Sequence, residues 1–164
     1  MPTFSGGNGG ASFTPSTTND NYTLDAVGGA TGTFGKVVAI GWGGRLTSST
    51  GYRTRWTRPN NGAGAGAGTG SGTAITLAYH QPLYTSAQMA LYSTYATTQP
   101  VLATDPAGNL HQQDWNAQGG VGMVVLPLAN PWWCVKGVLQ GSISCRNVAG
   151  TDAAGSSYEV TWEE

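Results

Sequence analysis

Glycine is the feature that most limits how this chain can fold, because it fills 26 of the 164 positions and recurs along the whole length. A glycine inside a helix costs about 1 kcal/mol relative to alanine. Six tryptophans and seven tyrosines, by contrast, belong to residue types that favour strands. The composition therefore predicts an all-β domain with long polar loops rich in glycine and threonine.

Charge and hydropathy exclude several classes of protein. Charged residues make up only 9 % of the chain and the formal net charge is −1, so no strong positive field exists to attract nucleic acid. No apolar run approaches the roughly 18 residues of a membrane span, and we expect neither nucleic acid nor a membrane as a partner. The N-terminus lacks the basic and apolar segments of a signal peptide, so we expect synthesis in a cytoplasm.

The chain divides into an arm and one domain. Residues 1–20 are mostly small and polar and predict an irregular N-terminal arm, whereas residues 21–164 have the length of a single domain. Within that domain, the composition of residues 62–72 predicts a flexible glycine-rich loop. Residues 85–98 fit helical and strand spacing almost equally, and we predict a strand. The other predicted strands cover residues 22–27, 34–46, 52–58, 73–79, 121–128, one or two stretches within 134–145, and 157–162.

One hairpin can be predicted residue by residue. Apolar and small or polar residues alternate on both sides of a turn centred on residues 48–49. This register pairs Leu46 with Tyr52 and Trp42 with Trp56, so that all the large apolar groups share one face. A slip of one residue would separate them, and we therefore predict that the two tryptophans are cross-strand neighbours.

The same register gathers arginines on the outer face of the hairpin. Arg45 would lie opposite Arg53 and beside Arg55, with Arg58 following closely. Like charges that face each other across strands are unfavourable. The cluster is either a solvated face or a docking patch for an acidic partner surface.

The residues that carry enzymatic chemistry are few. His80 and His111 are the histidines of the chain, and no Gly-x-Ser-x-Gly nucleophile motif occurs. His111 and Asp114 are close enough in sequence to suggest a metal site, although polar residues in a loop more often face water. We therefore expect no catalytic residues, no cofactor and no metal, and a small hydrolase is the weakest hypothesis.

Two tryptophans and two cysteines allow several interpretations. Trp132 and Trp133 follow Pro131 and would either cover one end of a β-core, contact a partner, or form a platform for a sugar ring. Cys134 and Cys145 are too few for a disulfide framework and have no histidine close in sequence. We interpret the cysteines as semi-buried thiols.

Two stretches carry a resemblance to known proteins. They are GWGGRLTSSTGYRTRWTRP at residues 41–59, and the C-terminal region that includes GSISCRN at 141–147 and SYEVTWEE at 157–164. Together they resemble small virion proteins of tailed bacteriophages. Some of those are similar to capsid decoration (cement) proteins, which have a jelly-roll β-sandwich and are often trimeric.

The resemblance implies a fold and a function. The implied fold is a jelly-roll-like antiparallel β-sandwich. The implied function is a non-enzymatic structural protein of the virion that decorates and stabilises a capsid lattice as a homotrimer, with the major capsid protein or other virion proteins as partners. The alternative is a tail-associated receptor- or carbohydrate-binding module. The candidate partner-binding residues are Arg45, Arg53, Arg55, Arg58, Trp132 and Trp133.

Overall fold

A computed structural model shows an all-β chain. It describes residues 1–7, 21–26, 29–44, 51–58, 73–81, 86–93, 109–116, 118–119, 121–127, 129–137, 141–149 and 156–164. No helix occurs in these ranges, and so none there is long and apolar enough to cross a membrane. The strands are β1 (Thr3–Gly7), β2 (Tyr22–Ala26), β3 (Phe34–Gly44), β4 (Gly51–Thr57), β5 (Thr73–Ala74), β6 (Ala78–Tyr79), β7 (Met89–Ser93), β8 (Asn109–Asn116), β9 (Val121–Val125), β10 (Trp132–Val135), β11 (Ile143–Ala149) and β12 (Ser156–Glu163).

These strands form two antiparallel sheets packed face to face. Sheet A has the order β10-β3-β12-β1-β6, and β9 pairs with β3 on the same edge as β10. Sheet B has the order β5-β7-β2-β11-β4-β8. The predicted antiparallel β-sandwich is confirmed.

The core lies between the sheets and is rich in aromatic side chains. Trp56 of sheet B and Trp162 of sheet A are both fully buried. Alternation along each strand places these residues inward and their neighbours outward. The other large, fully buried side chains are Tyr22, Tyr52, Phe4, Leu24, Ile40, Met89, Leu91, Ile143, Val37 and Val160.

The predicted hairpin between residues 34–46 and 52–58 is wrong, because β3 and β4 belong to different sheets. Both edges of β3 are occupied, one by β12 and the other by β9 and β10. Trp42 and Trp56 are neighbours nonetheless, with ring centroids 5.4 Å apart across the core. Gly122 makes room for Trp42, since a Cβ at Gly122 would lie 2.2 Å from the indole ring. Alternation thus identified the inward side chains but not the strand pairing.

The predicted N-terminal arm is wrong for its first part. Residues Thr3–Gly7 form β1, which pairs with β12 on one side and β6 on the other, and Phe4 is fully buried. The two glycines of β1 lie close to their neighbours. A Cβ on Gly6 would lie 2.7 Å from the Leu91 side chain, and a Cβ on Gly7 would overlap the Tyr158 carbonyl oxygen. Residues 8–20 lie outside the described part of the chain.

The remaining strand predictions have mixed outcomes. Residues 85–98 contain the predicted strand, β7. The segment 73–79 holds two short strands instead of one, and β8 was not predicted at all. The predicted glycine-rich loop at 62–72 is outside the described residues.

Candidate partner-binding site

The outer face of sheet B carries the arginines of β4. Tyr52, Thr54 and Trp56 point inward and are buried, while Arg53 and Arg55 alternate with them and point outward. The predicted separation of the arginines from Trp56 is therefore confirmed. Arg45 lies outside the described residues.

Arg53 is not opposed by another arginine, as the hairpin register implied, but by a carboxylate. Its strand neighbour on β8 is Asp114, and the guanidinium Nε and Nη2 donate to the two carboxylate oxygens at 2.7 and 3.2 Å. This two-pronged hydrogen bond holds the pKa of Asp114 below its ordinary value. Arg53 thus has a partner within the chain.

Arg55 lies between a neutral and a positive neighbour. On one side its guanidinium donates to Oε1 of Gln112 on β8, at 3.2 and 3.0 Å. On the other side it stands in register with Arg146 on β11. We call the outer surface formed by Arg53, Arg55, Arg146, Gln112 and Asp114 the basic face. The sequence analysis missed Arg146, because alternation does not reveal that β11 is the neighbour of β4.

Arg58 does not extend the basic face. It is partly buried, and its Nη1 donates to the carbonyl oxygen of Trp133 at 2.9 Å. Loss of solvent lowers the pKa of Arg58 from its ordinary value. Arg58 therefore ties the end of β4 to β10 of the other sheet, and its role in docking stays a prediction.

Trp132 and Trp133 point to opposite faces of sheet A. Trp132 packs against the core. Trp133 is 41 % exposed, and its ring meets that of Phe34 edge to face, with centroids 5.2 Å apart. Of the three interpretations, the core one fits Trp132, whereas Trp133 is available to a partner or a ligand.

His111 sits within a box of three indole rings. The centroid of its ring lies 5.5 Å from that of Trp56, 6.3 Å from that of Trp42 and 6.4 Å from that of Trp132. Its Nε2 is buried and has no hydrogen-bond partner among the described residues. Burial lowers the pKa of His111. Asp114 points outward from the same strand, so the two side chains do not converge on one metal ion.

His80 contacts a serine at the other edge of sheet A. Its Nε2 lies 2.9 Å from Oγ of Ser5, which is the distance expected between a serine nucleophile and its base. No hydrogen bond from His80 to a carboxylate is found within the described ranges. These ranges also contain no group of three or more His, Cys, Asp or Glu side chains that could hold a metal ion.

Both cysteines are buried free thiols. Cys134 lies on β10 with its Sγ 3.7 Å from the carbonyl oxygen of Leu24 in sheet B, and burial raises the pKa of this thiol. Cys145 lies on β11, within reach of the Asn21 side chain. Both sulfurs thus contribute to packing between the sheets.

In comparisons with known proteins, no family model and no curated protein matches this chain. The basic face and the exposed rings of sheet A are therefore interpreted from their own geometry and chemistry.

Proposed function

We propose that this protein is a non-enzymatic structural component of a tailed-phage virion, a decoration (cement) protein that binds and stabilises the capsid lattice. The sequence resemblance at residues 41–59, 141–147 and 157–164 supports this assignment. The β-sandwich is compatible with it, because both sheets offer broad outer faces to neighbouring proteins. The proposed location is the virion, after synthesis in the cytoplasm of the host.

The basic face carries the proposal. Arg55 and Arg146 stand side by side on adjacent strands, so two guanidinium groups share this part of the outer face. A carboxylate from another protein can accept hydrogen bonds from a guanidinium in a two-pronged geometry. Among the five residues that define the basic face, Asp114 carries the negative charge, and it binds Arg53. The face therefore suits a lattice partner that presents Asp or Glu side chains.

A decoration assay with reversed charges tests this proposal. Particles assembled without the protein are incubated with the wild type or with the double variant Arg55→Glu/Arg146→Glu, and bound protein is measured after sedimentation. We expect the double variant to lose binding and the wild type to bind less at higher salt. Asp114→Asn is the control that changes the charge of the face in the opposite direction. Because it makes the basic face more positive, this variant should bind at least as well as the wild type. Undiminished decoration by a folded double variant would exclude this face as the lattice contact.

A second candidate function rests on Trp133. An exposed indole ring beside the Lys36–Glu163 ion pair (2.7 Å) combines an apolar platform with hydrogen-bonding groups, which suits a sugar ring. This is the arrangement that a tail-associated receptor- or carbohydrate-binding module would need. A glycan-array signal that disappears in Trp133→Ala and persists in the basic-face variant would favour this second function.

A further inference from the structure

The outer face of sheet A exposes four large apolar side chains on β9, β10 and the neighbouring strand β3. Met123 and Val125 on β9 are 70 % and 66 % exposed, and Phe34 and Trp133 are 46 % and 41 % exposed. We call these four residues the apolar column. They present roughly 400–500 Å² of apolar surface, within the range in which patches on monomers mark interaction sites.

The register of the strands makes the column continuous. Because β9 and β10 both pair with the same edge of β3, Met123, Val125 and Trp133 follow one another along that edge. The chain between Asp114 and Lys136 contains no charged residue. Edge strands are usually protected from association by charges, proline or a covering segment, and β9 itself carries neither a charge nor a proline.

A shallow trough runs beside the column on β3. Ala39 stands next to Val125 and Gly41 next to Met123, so a small residue accompanies each of the two large side chains of β9. A Cβ built on Gly41 would make ordinary van der Waals contact, at 3.8 Å, with the Glu159 side chain and the Gly122 carbonyl oxygen, so a side chain fits here without a clash. The same face therefore carries both protruding side chains and the recess that could receive them.

We propose that a second copy of this chain covers this face, about a two-fold axis that runs parallel to the strands between β3 and the β9/β10 edge. A two-fold contact requires a surface that complements itself. This axis places Met123 of each copy over Gly41 of the other and Val125 over Ala39. Each column fills the other copy's trough.

Residues further along the same strands also fit this two-fold axis. Trp133 of one copy meets Lys36 of the other, where the ammonium group can lie over the indole face. The acidic residues of this face, Glu159 and Glu163 on β12, lie one strand further from the axis and form a polar rim, as is usual in protein interfaces. A specific interface needs about 1,000 Å² of buried surface, so the polar rim takes part in the contact together with the apolar column. The structure therefore assigns this face to a reversible homodimer.

Light scattering coupled to size exclusion, over a range of protein concentrations, tests the two-fold contact. The test variant is Gly41→Arg, whose Cβ meets nothing closer than 3.8 Å in the isolated chain but whose side chain fills the recess needed by the second copy. Gly51→Arg is the matched control, because Gly51 is a strand glycine that also accepts a Cβ without a clash, but it lies in sheet B. We expect the wild type and Gly51→Arg to pass from monomer to dimer as concentration rises, and Gly41→Arg to remain monomeric.

Three results would overturn the proposal. They are a wild type that is monomeric at every concentration, a dimer that survives in Gly41→Arg, and a trimer, which a two-fold contact alone does not build. Met123→Ala gives a second measurement, at a side chain that is 70 % exposed in the isolated chain. It should raise the dimer dissociation constant about tenfold or more, because most of a methionine buried in the contact is lost. An unchanged dissociation constant in Met123→Ala would also count against the contact.

Discussion

Trp42 and Trp56 meet across the interior from opposite sheets, with their ring centroids 5.4 Å apart. Trp56 also donates a hydrogen bond from Nε1 to the hydroxyl of Tyr22 at 2.7 Å. Its ring is fully buried and contacts His111 as well. One side chain thus links β3, β8 and β2 through apolar and polar contacts.

We expect Trp56→Ala to lower the free energy of unfolding by about 3–5 kcal/mol, because the variant leaves a large cavity between the sheets. Urea unfolding followed by circular dichroism measures the loss. Trp133→Ala is the matched control, since this indole is exposed, and it should cost less than about 1 kcal/mol. Equal losses in the two variants would contradict the placement of Trp56 in the core.

The N-terminal strand should matter for folding rather than for attachment alone. Phe4 is fully buried, stacks on Trp162 with centroids 6.1 Å apart and meets Tyr79 edge to face at 5.6 Å. We expect Phe4→Ala to cost about 3–5 kcal/mol of stability. Thermal unfolding of Phe4→Ala beside Phe34→Ala, in which a phenylalanine that is 46 % exposed is truncated, provides the measurement. A melting temperature unchanged in Phe4→Ala would restore the interpretation of this segment as an arm.

A strand could be predicted from the sequence where the side chains that face the core are apolar. In β4 the large residues Tyr52 and Trp56 alternate with arginines, so the inward face was correctly predicted. In β8 the inward positions include His111 and Gln113 as well as Trp115. Because two of these inward residues are polar, the sequence of β8 lacks the alternation of apolar and polar residues that identifies a strand. The sequence therefore suggested a loop where a strand lies.

Strand pairing was the main failure, and its cause is physical. Alternation specifies which side chains face the core. It does not specify whether two strands that are adjacent in sequence lie in the same sheet or in two facing sheets, because their inward side chains are buried in both arrangements. Trp42 and Trp56 belong to facing sheets and meet across the core. The neighbours predicted for the arginines were wrong for the same reason. Because β8 and β11 flank β4, Arg53 lies opposite Asp114, and Arg55 lies opposite Arg146.

A buried polar cluster around Asn147 should be essential for stability. Its side-chain oxygen accepts hydrogen bonds from Asn21 at 3.2 Å, Thr54 at 2.8 Å and Tyr158 at 2.9 Å. We expect Asn147→Ala to cost at least about 3 kcal/mol, because several buried donors lose their acceptor. Tyr158→Phe removes one donor and leaves the acceptor in place, so it should cost only about 1 kcal/mol. Chemical denaturation of both variants checks the order, and a smaller loss in Asn147→Ala than in Tyr158→Phe would contradict the role of Asn147 as the shared acceptor.

The contact between Ser5 and His80 offers a direct test of the expectation that the protein is not an enzyme. Ser5 is buried, and its hydroxyl lies 2.9 Å from His80 Nε2. An activated serine would hydrolyse an ester and would label with a fluorophosphonate probe. We expect neither turnover of p-nitrophenyl acetate above the rate of His80→Ala nor labelling that disappears in Ser5→Ala. Labelling of the wild type that is lost in both variants would assign a hydrolase activity to this pair.

The indole box around His111 predicts how stability depends on pH. Burial lowers the pKa of His111 in the folded protein, so the unfolded chain, with a histidine pKa near 6.5, binds the proton first as pH falls. The contribution of His111 to stability is therefore fully present above about pH 6.5 and declines as pH falls below that value toward the lowered pKa. We expect the wild type to lose more stability than His111→Phe between neutral and mildly acidic pH, because phenylalanine keeps a ring in the box without a titrating group. The measurement is the urea concentration at the unfolding midpoint, determined from neutral to mildly acidic pH. If this midpoint falls equally with pH in the wild type and in His111→Phe, His111 binds its proton equally well in the folded and unfolded states.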